Sequence, residues 1–360
     1  MRNKRIAQYV FGFIVVAAAS SAHAESATDV SPICTTVFQE NGPRTLLSRG
    51  AYCHRSDVIE RQIIGQDNTR LGRAEIQAFA YSDNPTNGAS WDVKFRFRTK
   101  VVSGDWDGMQ IKPYIDCSGK CTVATHAGVT LVPGGLSDEL VVTLSPDMSI
   151  NNPLFISPSV EYKIVRSGDS FDDGPSLTSH TGMGYVPNIR CDSGLARARS
   201  KGCVYHEAPA VLRSIKTTDP SVRESAEHIR EAQASGLPGK FVARDDGSIL
   251  ADTWGSKPLK RTRDAQKIIA NRNAAVKMCK EKYQEELACG TSADADTPLP
   301  ACSCDEYPFA STQTRDELGD SFSAKRITAA DNSMAGTMLG NFYTANRILD
   351  EEEFYVSIDE

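Results

Sequence analysis

Cys302-Ser303-Cys304-Asp305-Glu306-Tyr307-Pro308-Phe309-Ala310 is the stretch that decides how the C-terminal half of this chain is read. Two adjacent carboxylates stand between a pair of cysteines and an aromatic-proline turn, where thiols can fasten the backbone that aims the acids. Downstream, Ala324 to Thr328 reads as a short strand, Asp331 as the N-cap of a helix, and Glu353 to Ile358 as a closing strand. On that helix Met334, Ala335, Met338, Leu339, Phe342 and Ala345 share an apolar face, with Asn332, Gly336, Gly340 and Tyr343 beside it. Glycines inside a helix cost roughly 1 kcal/mol each relative to alanine. Close approach of another backbone, from a protein strand or a nucleic-acid strand, is the expected reason for Gly336 and Gly340.

Upstream lies a basic segment, with Lys257, Lys260, Arg261, Arg263, Lys267, Arg272, Lys277, Lys280 and Lys282 against only Asp264 and Glu281. Ile268, Ile269, Ala275, Val276 and Met278 predict a helix with one buried face. Most charged helices are merely solvated. The acid pair that follows makes a phosphate-facing surface a serious rival reading. Farther back, Glu224 to Ala234 has helical spacing, with Ala226, Ile229 and Ala232 on one side and Gly236 to stop it.

The chain starts with Arg2, Lys4 and Arg5, an apolar run from Val10 to Ala19, and Ala22-His23-Ala24, the pattern of a secretory signal peptide over residues 1–24. That predicts an exported protein, extracellular or periplasmic, beginning at Glu25. No apolar run approaches the roughly 20 residues of a membrane span. Loss of the three basic residues takes the formal net charge from −6 to −9. An acidic balance argues against a surface coated in nucleic-acid-binding charge and leaves room for a local basic patch.

All ten cysteines follow the signal, an even number in an oxidising compartment, which favours disulfides. Cys117 with Cys121 and Cys191 with Cys203 read as small closed loops, and Cys34 with Cys53 as a tie on the first segment. Cys302 and Cys304 are too close for an unstrained mutual bond. Each is expected to reach back to Cys279 and Cys289, in one order or the other. A zinc site from these four is the alternative, disfavoured because no CxxC knuckle is present.

Trp91, Val93, Phe95, Phe97, Thr99 and Val101 alternate with Asp92, Lys94, Arg96, Arg98 and Lys100, as in a strand with one buried face. Further runs at Val129 to Val132, Leu140 to Leu144 and Val160 to Val165, with turn signals between them, predict an antiparallel sandwich. The basic face from Lys94 to Lys100 reads as solvated surface, and Asp105-Trp106-Asp107-Gly108 as a turn, since the rest of a calcium loop is missing. The expected fold class is α+β: an N-terminal antiparallel β-sandwich-like domain at 25–166, a linker at 167–187 rich in Gly, Ser, Asp and Pro, and a small disulfide-stabilised domain at 188–360.

From roughly Asn188 to Ile358 the chain resembles the NucA/NucB family of secreted bacterial deoxyribonucleases. The pieces are Arg190-Cys191-Asp192 with Gly202-Cys203-Val204, His228-Ile229-Arg230 with Ala232-Gln233, Cys304 to Ala310, and Ala330-Asp331-Asn332 through Gly336 and Gly340-Asn341-Phe342-Tyr343. The resemblance implies a ββα-metal-like nuclease that cuts DNA internally with a divalent ion, Mg²⁺ or Mn²⁺. The chain has no histidine after His228, so a carboxylate takes the part of general base: Asp305, with Glu306 supporting it or helping to hold the metal. Asn332 and Asp331 are the metal-side candidates, Asp331 being better explained as a helix cap, and Asn341 also matches the family pattern but lies about half a turn out of phase with Asn332 for binding the same ion. Arg261, Arg263, Lys267 and Arg272 are the expected contacts to the DNA backbone.

Three departures accompany the resemblance. Ser333 stands where an arginine is expected, Phe342 offers no carboxylate, and Glu351-Glu352-Glu353 replaces a Gly-Asp turn, bringing negative charge that would repel DNA if it faced the groove. They motivate a second reading, an exported binding or adhesion protein whose β domain meets an unknown ligand or surface and whose nuclease-like domain is degenerate. A nuclease toxin directed at rival cells shares the first chemistry.

Overall fold

A computed structural model of the 360-residue chain describes residues 34, 37–39, 45–64, 70–124, 127–168, 185–196, 200–242, 257–283, 301–313 and 321–358. The expected signal peptide, most of the expected linker and Cys289 lie outside the described residues. The fold is mixed α+β.

The first part consists of β1 (Thr45–Leu47), β2 (Ala51–Arg55), β3 (Ile59–Ile64), β4 (Arg70–Asp83), β5 (Trp91–Ser103) and β6 (Met109–Asp116). It continues with β7 (Cys121–Val123), β8 (Val129–Thr130), β9 (Leu140–Pro146), β10 (Leu154–Ile156) and β11 (Ser159–Arg166). One antiparallel sheet runs β1-β2-β4-β5-β9-β7 with β3 also on β4, and a second runs β11-β6-β8. Trp91, Val93, Phe95, Phe97 and Thr99 are buried along β5, as its alternation predicts. Tyr162 of β11 meets the rings of Phe95 and Phe97 edge-on, at 6.1 and 5.5 Å, so the inner faces of the two sheets close on each other. Asp105 accepts the Asp107 N–H at 2.9 Å, which makes that segment the expected turn.

Next come β12 (Ile189–Ser193) and β13 (Lys201–Tyr205), which with β10 form a third small sheet. Their apolar side chains belong to the first core: Ile189, Cys191, Cys203, Tyr205 and Ala208 pack in the same cluster as β5. The second core begins at Ala210. This part of the chain includes β14 (Ala210–Leu212), α1 (Arg223–Ala234), β15 (Leu259–Lys260), α2 (Ala265–Tyr283), β16 (Cys302–Tyr307), β17 (Ser323–Thr328), α3 (Ala329–Ala345) and β18 (Glu353–Val356), with Ala275 and Cys279 of α2 packed on Ala324 of β17 in a small cluster of their own. Here β14 and β15 flank β18, and β16 pairs with β17 as a hairpin that runs straight into α3.

Two expectations need correction. Helix α3 begins at Ala329 with extended Thr328 as its N-cap, so Asp331 lies inside the first turn instead of capping it. Helix α2 buries Ala275 and Cys279, while Ile269 and Val276 are 56% and 44% exposed. Attachment of α2 to the hairpin by the Cys279–Cys304 disulfide fixes which side faces inward. The pairs Cys34–Cys53, Cys117–Cys121 and Cys191–Cys203 are present as expected, and Cys302 is also disulfide-bonded.

The two cores are joined by buried charge. Glu352 binds Arg49 at 2.5 Å and also Arg190 of β12, and Arg347 grips Asp192 through two hydrogen bonds of 2.7 and 2.6 Å. Gly202 is required at this seam, because a Cβ there would lie 1.9 Å from the Thr86 carbonyl oxygen. Burial alone would raise the Glu352 carboxyl, but Arg49 and Arg190 outweigh it and hold the group below its ordinary value. Glu352 therefore contributes stability above its unfolded pKa of about 4.3, and that stability is lost as pH falls through the depressed folded value. Glu352→Gln leaves two buried guanidiniums uncompensated and is expected to cost about 3 kcal/mol. Thermal unfolding at pH 7 measures the cost, and repetition at pH 3 should show a smaller difference between variant and wild type.

Candidate active site

The hairpin β16–β17 and helix α3 form a ββα unit, and α1 and α2 close on it from two sides. Side chains alternate along β16. Asp305 turns toward α1, where its Oδ2 lies 2.7 Å from Nδ1 of His228. Glu306 turns back to the following loop and accepts the Ala310 N–H at 3.2 Å. Tyr307 is fully buried and donates from its hydroxyl to the Pro238 carbonyl at 2.7 Å, which anchors the end of the strand.

A cleft of about 550 Å³ opens along this unit. Its wall includes Asp305, Glu306, Asn332, Arg272, Gly336 and Gly340. Asn332 donates from its amide nitrogen to Ser303 Oγ at 2.8 Å and to the Cys304 carbonyl at 3.2 Å, so both amide hydrogens are used by the strand. The amide oxygen is the atom left to serve a ligand. A Cβ added at Gly336 or Gly340 would meet no atom within 4 Å. No protein backbone among the described residues approaches these glycines, and they leave a bare floor on the open side of α3.

The remaining expected site residues are placed elsewhere. Asp331 is buried and turned to the start of α1: its carboxylate accepts the Glu224 N–H at 2.8 Å, the Ser225 N–H at 3.0 Å and the Ser225 hydroxyl at 2.6 Å. Asn341 is exposed and not on the cleft wall. Arg261 lies 4.3 Å over the Tyr343 ring and donates to the Ile348 carbonyl, and burial lowers its pKa, so its charge is spent inside the fold. Arg263 donates to the Leu195 carbonyl. Lys267 is half-buried and off the wall. Of the four expected DNA contacts, Arg272 alone lines the cleft. Of the Glu351 to Glu353 run, Glu352 is turned toward Arg49 and Arg190, while Glu351 and Glu353 are exposed.

Sequence reasoning gave His228 no part in the chemistry, yet it is 1% exposed and bridges Asp305 and Ser323 Oγ, the latter at 2.8 Å from Nε2. The signals available were its place in the His228-Ile229-Arg230 motif and its position among the apolar residues of α1, beside Ala226, Ile229 and Ala232. Burial raises the Asp305 carboxyl above its ordinary range; the His228 hydrogen bond opposes that shift, and the nearby Asp331 charge adds to it.

The donors on the wall are carboxylate and amide oxygens, the set that suits a hard divalent cation. Among the described residues no cluster of three or more His, Cys, Asp or Glu side chains forms a cage. Mg²⁺ is commonly held by one or two carboxylates with waters and substrate phosphate, and Glu306 with Asn332 fits that pattern.

The bare floor yields a stability prediction. Gly336→Ala and Gly340→Ala add methyls that meet nothing and remove helix glycines, so each should stabilise the protein by about 1 kcal/mol. Thermal unfolding checks this, and a loss of stability would show that the floor is occupied within the protein itself.

No curated protein and no solved structure matches the chain. The model of one family, Deoxyribonuclease NucA/NucB, matches residues 254–357, a span that holds α2, the hairpin with Asp305 and Glu306, and α3 with its glycine floor. The C-terminal part of this chain is therefore similar to the deoxyribonucleases of the NucA/NucB family.

Proposed function

We propose that the protein is a secreted, divalent-metal-dependent endonuclease that hydrolyses DNA phosphodiester bonds without sequence specificity. The observation that carries this reading is the gathering of Asp305, Glu306, Asn332 and Arg272 around one cleft floored by Gly336 and Gly340. The second core, from Ala210 onward, is the catalytic unit.

A phosphate backbone can lie along the floor that the glycines leave open, with the Arg272 guanidinium as its counter-charge. Arg272 on a phosphate carries no information about the base, in keeping with cleavage irrespective of sequence. Asp305 takes a proton from water as the water oxygen bonds to phosphorus and the bond from phosphorus to the leaving sugar oxygen breaks. Glu306 and Asn332 would hold the divalent ion, whose chemistry is stabilisation of charge on the phosphoryl and leaving oxygens. Mg²⁺ and Mn²⁺ both suit these oxygen ligands. Secretion is supported by the oxidised cysteines, which are stable outside the reducing cytosol, and by the signal-like start of the sequence. No helix among the described residues is long and apolar enough to cross a membrane.

Plasmid nicking tests the proposal directly. The mature protein with Mg²⁺ or Mn²⁺ should convert supercoiled plasmid to open circles, chelator should stop it, and added metal should restore it. Asp305→Ala is expected to lower the rate by about 10²–10⁴-fold, the usual scale of general-base catalysis. Full activity in that variant would remove Asp305 from its role. The double Gly336→Ala and Gly340→Ala variant should be more stable and slower, the joint outcome expected where an open floor serves substrate.

A further inference from the structure

We propose that His228 is a positioning residue for Asp305, so that the working site extends from the hairpin onto helix α1. The inference rests on the nuclease reading above. Helix α1 ends at Ala234, before the matched span begins at 254.

Both ring nitrogens of His228 are used: Nδ1 is 2.7 Å from Asp305 Oδ2 and Nε2 is 2.8 Å from Ser323 Oγ. An imidazole held at both ends cannot rotate, and it is shielded from water. The strand register explains the fit. Asp305 stands opposite Lys325 and Tyr307 opposite Ser323, so the ring spans diagonally from one strand of the hairpin to the other. One turn further along α1, Glu231 binds Lys325 at 2.8 Å, a second polar tie between the same helix and the same hairpin face.

Proton placement follows from the partners. With Asp305 ionised, Nδ1 must carry the hydrogen that Oδ2 accepts, which leaves Nε2 to pair with the Ser323 hydroxyl. Oδ2 is thereby committed to His228, and Oδ1 is the oxygen that receives the proton from water. His228 gains and loses no proton in the step; it fixes which carboxylate oxygen acts and where it points. A residue that only filled space at this buried position could be aliphatic, like Ile229 beside it.

The test compares His228→Leu, which keeps bulk and removes both polar atoms, with His228→Asn, whose amide can still donate to Asp305. Steady-state nicking of plasmid with Mn²⁺ gives kcat and KM, and near-UV circular dichroism gives the folded fraction used to normalise them. His228→Leu should lose about 10–100-fold in kcat, the scale seen when an orienting partner is removed, with KM little changed. His228→Asn should recover most of the loss. In ¹⁵N-histidine NMR of the metal-free wild type, Nδ1 of the ring should appear as the protonated nitrogen, and Asp305→Ala should abolish that preference. Equal kcat losses in the two variants, or wild-type kcat in folded His228→Leu, would overturn the inference while leaving the nuclease reading intact. A wild-type protein that cuts no DNA with either metal would overturn the reading and the inference together. If His228→Leu does not fold, the His228→Asn kinetics and the NMR tautomer decide between the outcomes.

Discussion

Two helix N-termini meet beside the hairpin, and each is closed by a carboxylate from the other helix. Asp331 of α3 takes the first free N–H groups of α1, and Glu224 of α1 takes the Thr328 N–H at 2.8 Å and its hydroxyl at 3.1 Å at the start of α3. Neither helix start has a side-chain cap from its own N-cap residue. A cap is worth on the order of 1 kcal/mol, and a negative charge at the positive end of a helix adds a few tenths more. The geometric effect exceeds that sum. The start of each helix is tied to the other, and between them they carry His228, Asn332 and the glycine floor.

The seam between the two cores obeys a similar logic on a larger scale. Buried ion pairs contribute little net stability, because desolvation of the charges offsets most of their attraction, but removal of one partner is costly. Arg49, Arg190, Asp192, Arg347 and Glu352 form such an arrangement and specify how the β part sits against the turn between α3 and β18. Thr86 adds a hydrogen bond of 2.6 Å to the Ala345 carbonyl at the end of α3. The helix whose start is fixed by α1 is thus fixed at its end by the β part. Within the acidic run from Glu351 to Glu353, Glu352 is the counter-charge for two arginines of that part.

What could be read from the sequence was whatever depends on neighbours along the chain. The alternation from Trp91 to Val101 specified a half-buried strand, short cysteine spacings gave small loops, and the acid pair with the glycine helix marked the nuclease unit. What could not be read depends on contacts across long separations. His228 and Asp305 are 77 residues apart, and nothing local to either residue indicates the other. Asp331 looked like a cap for its own helix and is a cap for a different one. Arg261 and Arg272 carry the same charge in one basic segment, yet one lies over Tyr343 and the other lines the cleft. Ile269 and Val276 were assigned inward by hydrophobicity alone, whereas the disulfide from Cys279 to Cys304 determines the face of α2 that is covered.

The alternation of β16 finally explains how two neighbouring acids can do different work. Successive strand side chains cannot share one set of contacts. Asp305 is largely buried and turned toward α1, with Oδ2 on His228 while the residue still lines the cleft, and burial raises its proton affinity. A base with raised proton affinity is stronger than an ordinary aspartate, and at neutral pH a carboxylate has room for an upward shift before it loses its charge. Glu306 lies on the other side of the strand, by the Phe309 to Ser311 loop, where it is less buried and within reach of waters that a hard cation would retain. In the proposed reaction a base benefits from the more buried position and a ligand to a hydrated ion from the more exposed one, so the order Asp-Glu along this strand suits the roles proposed for them.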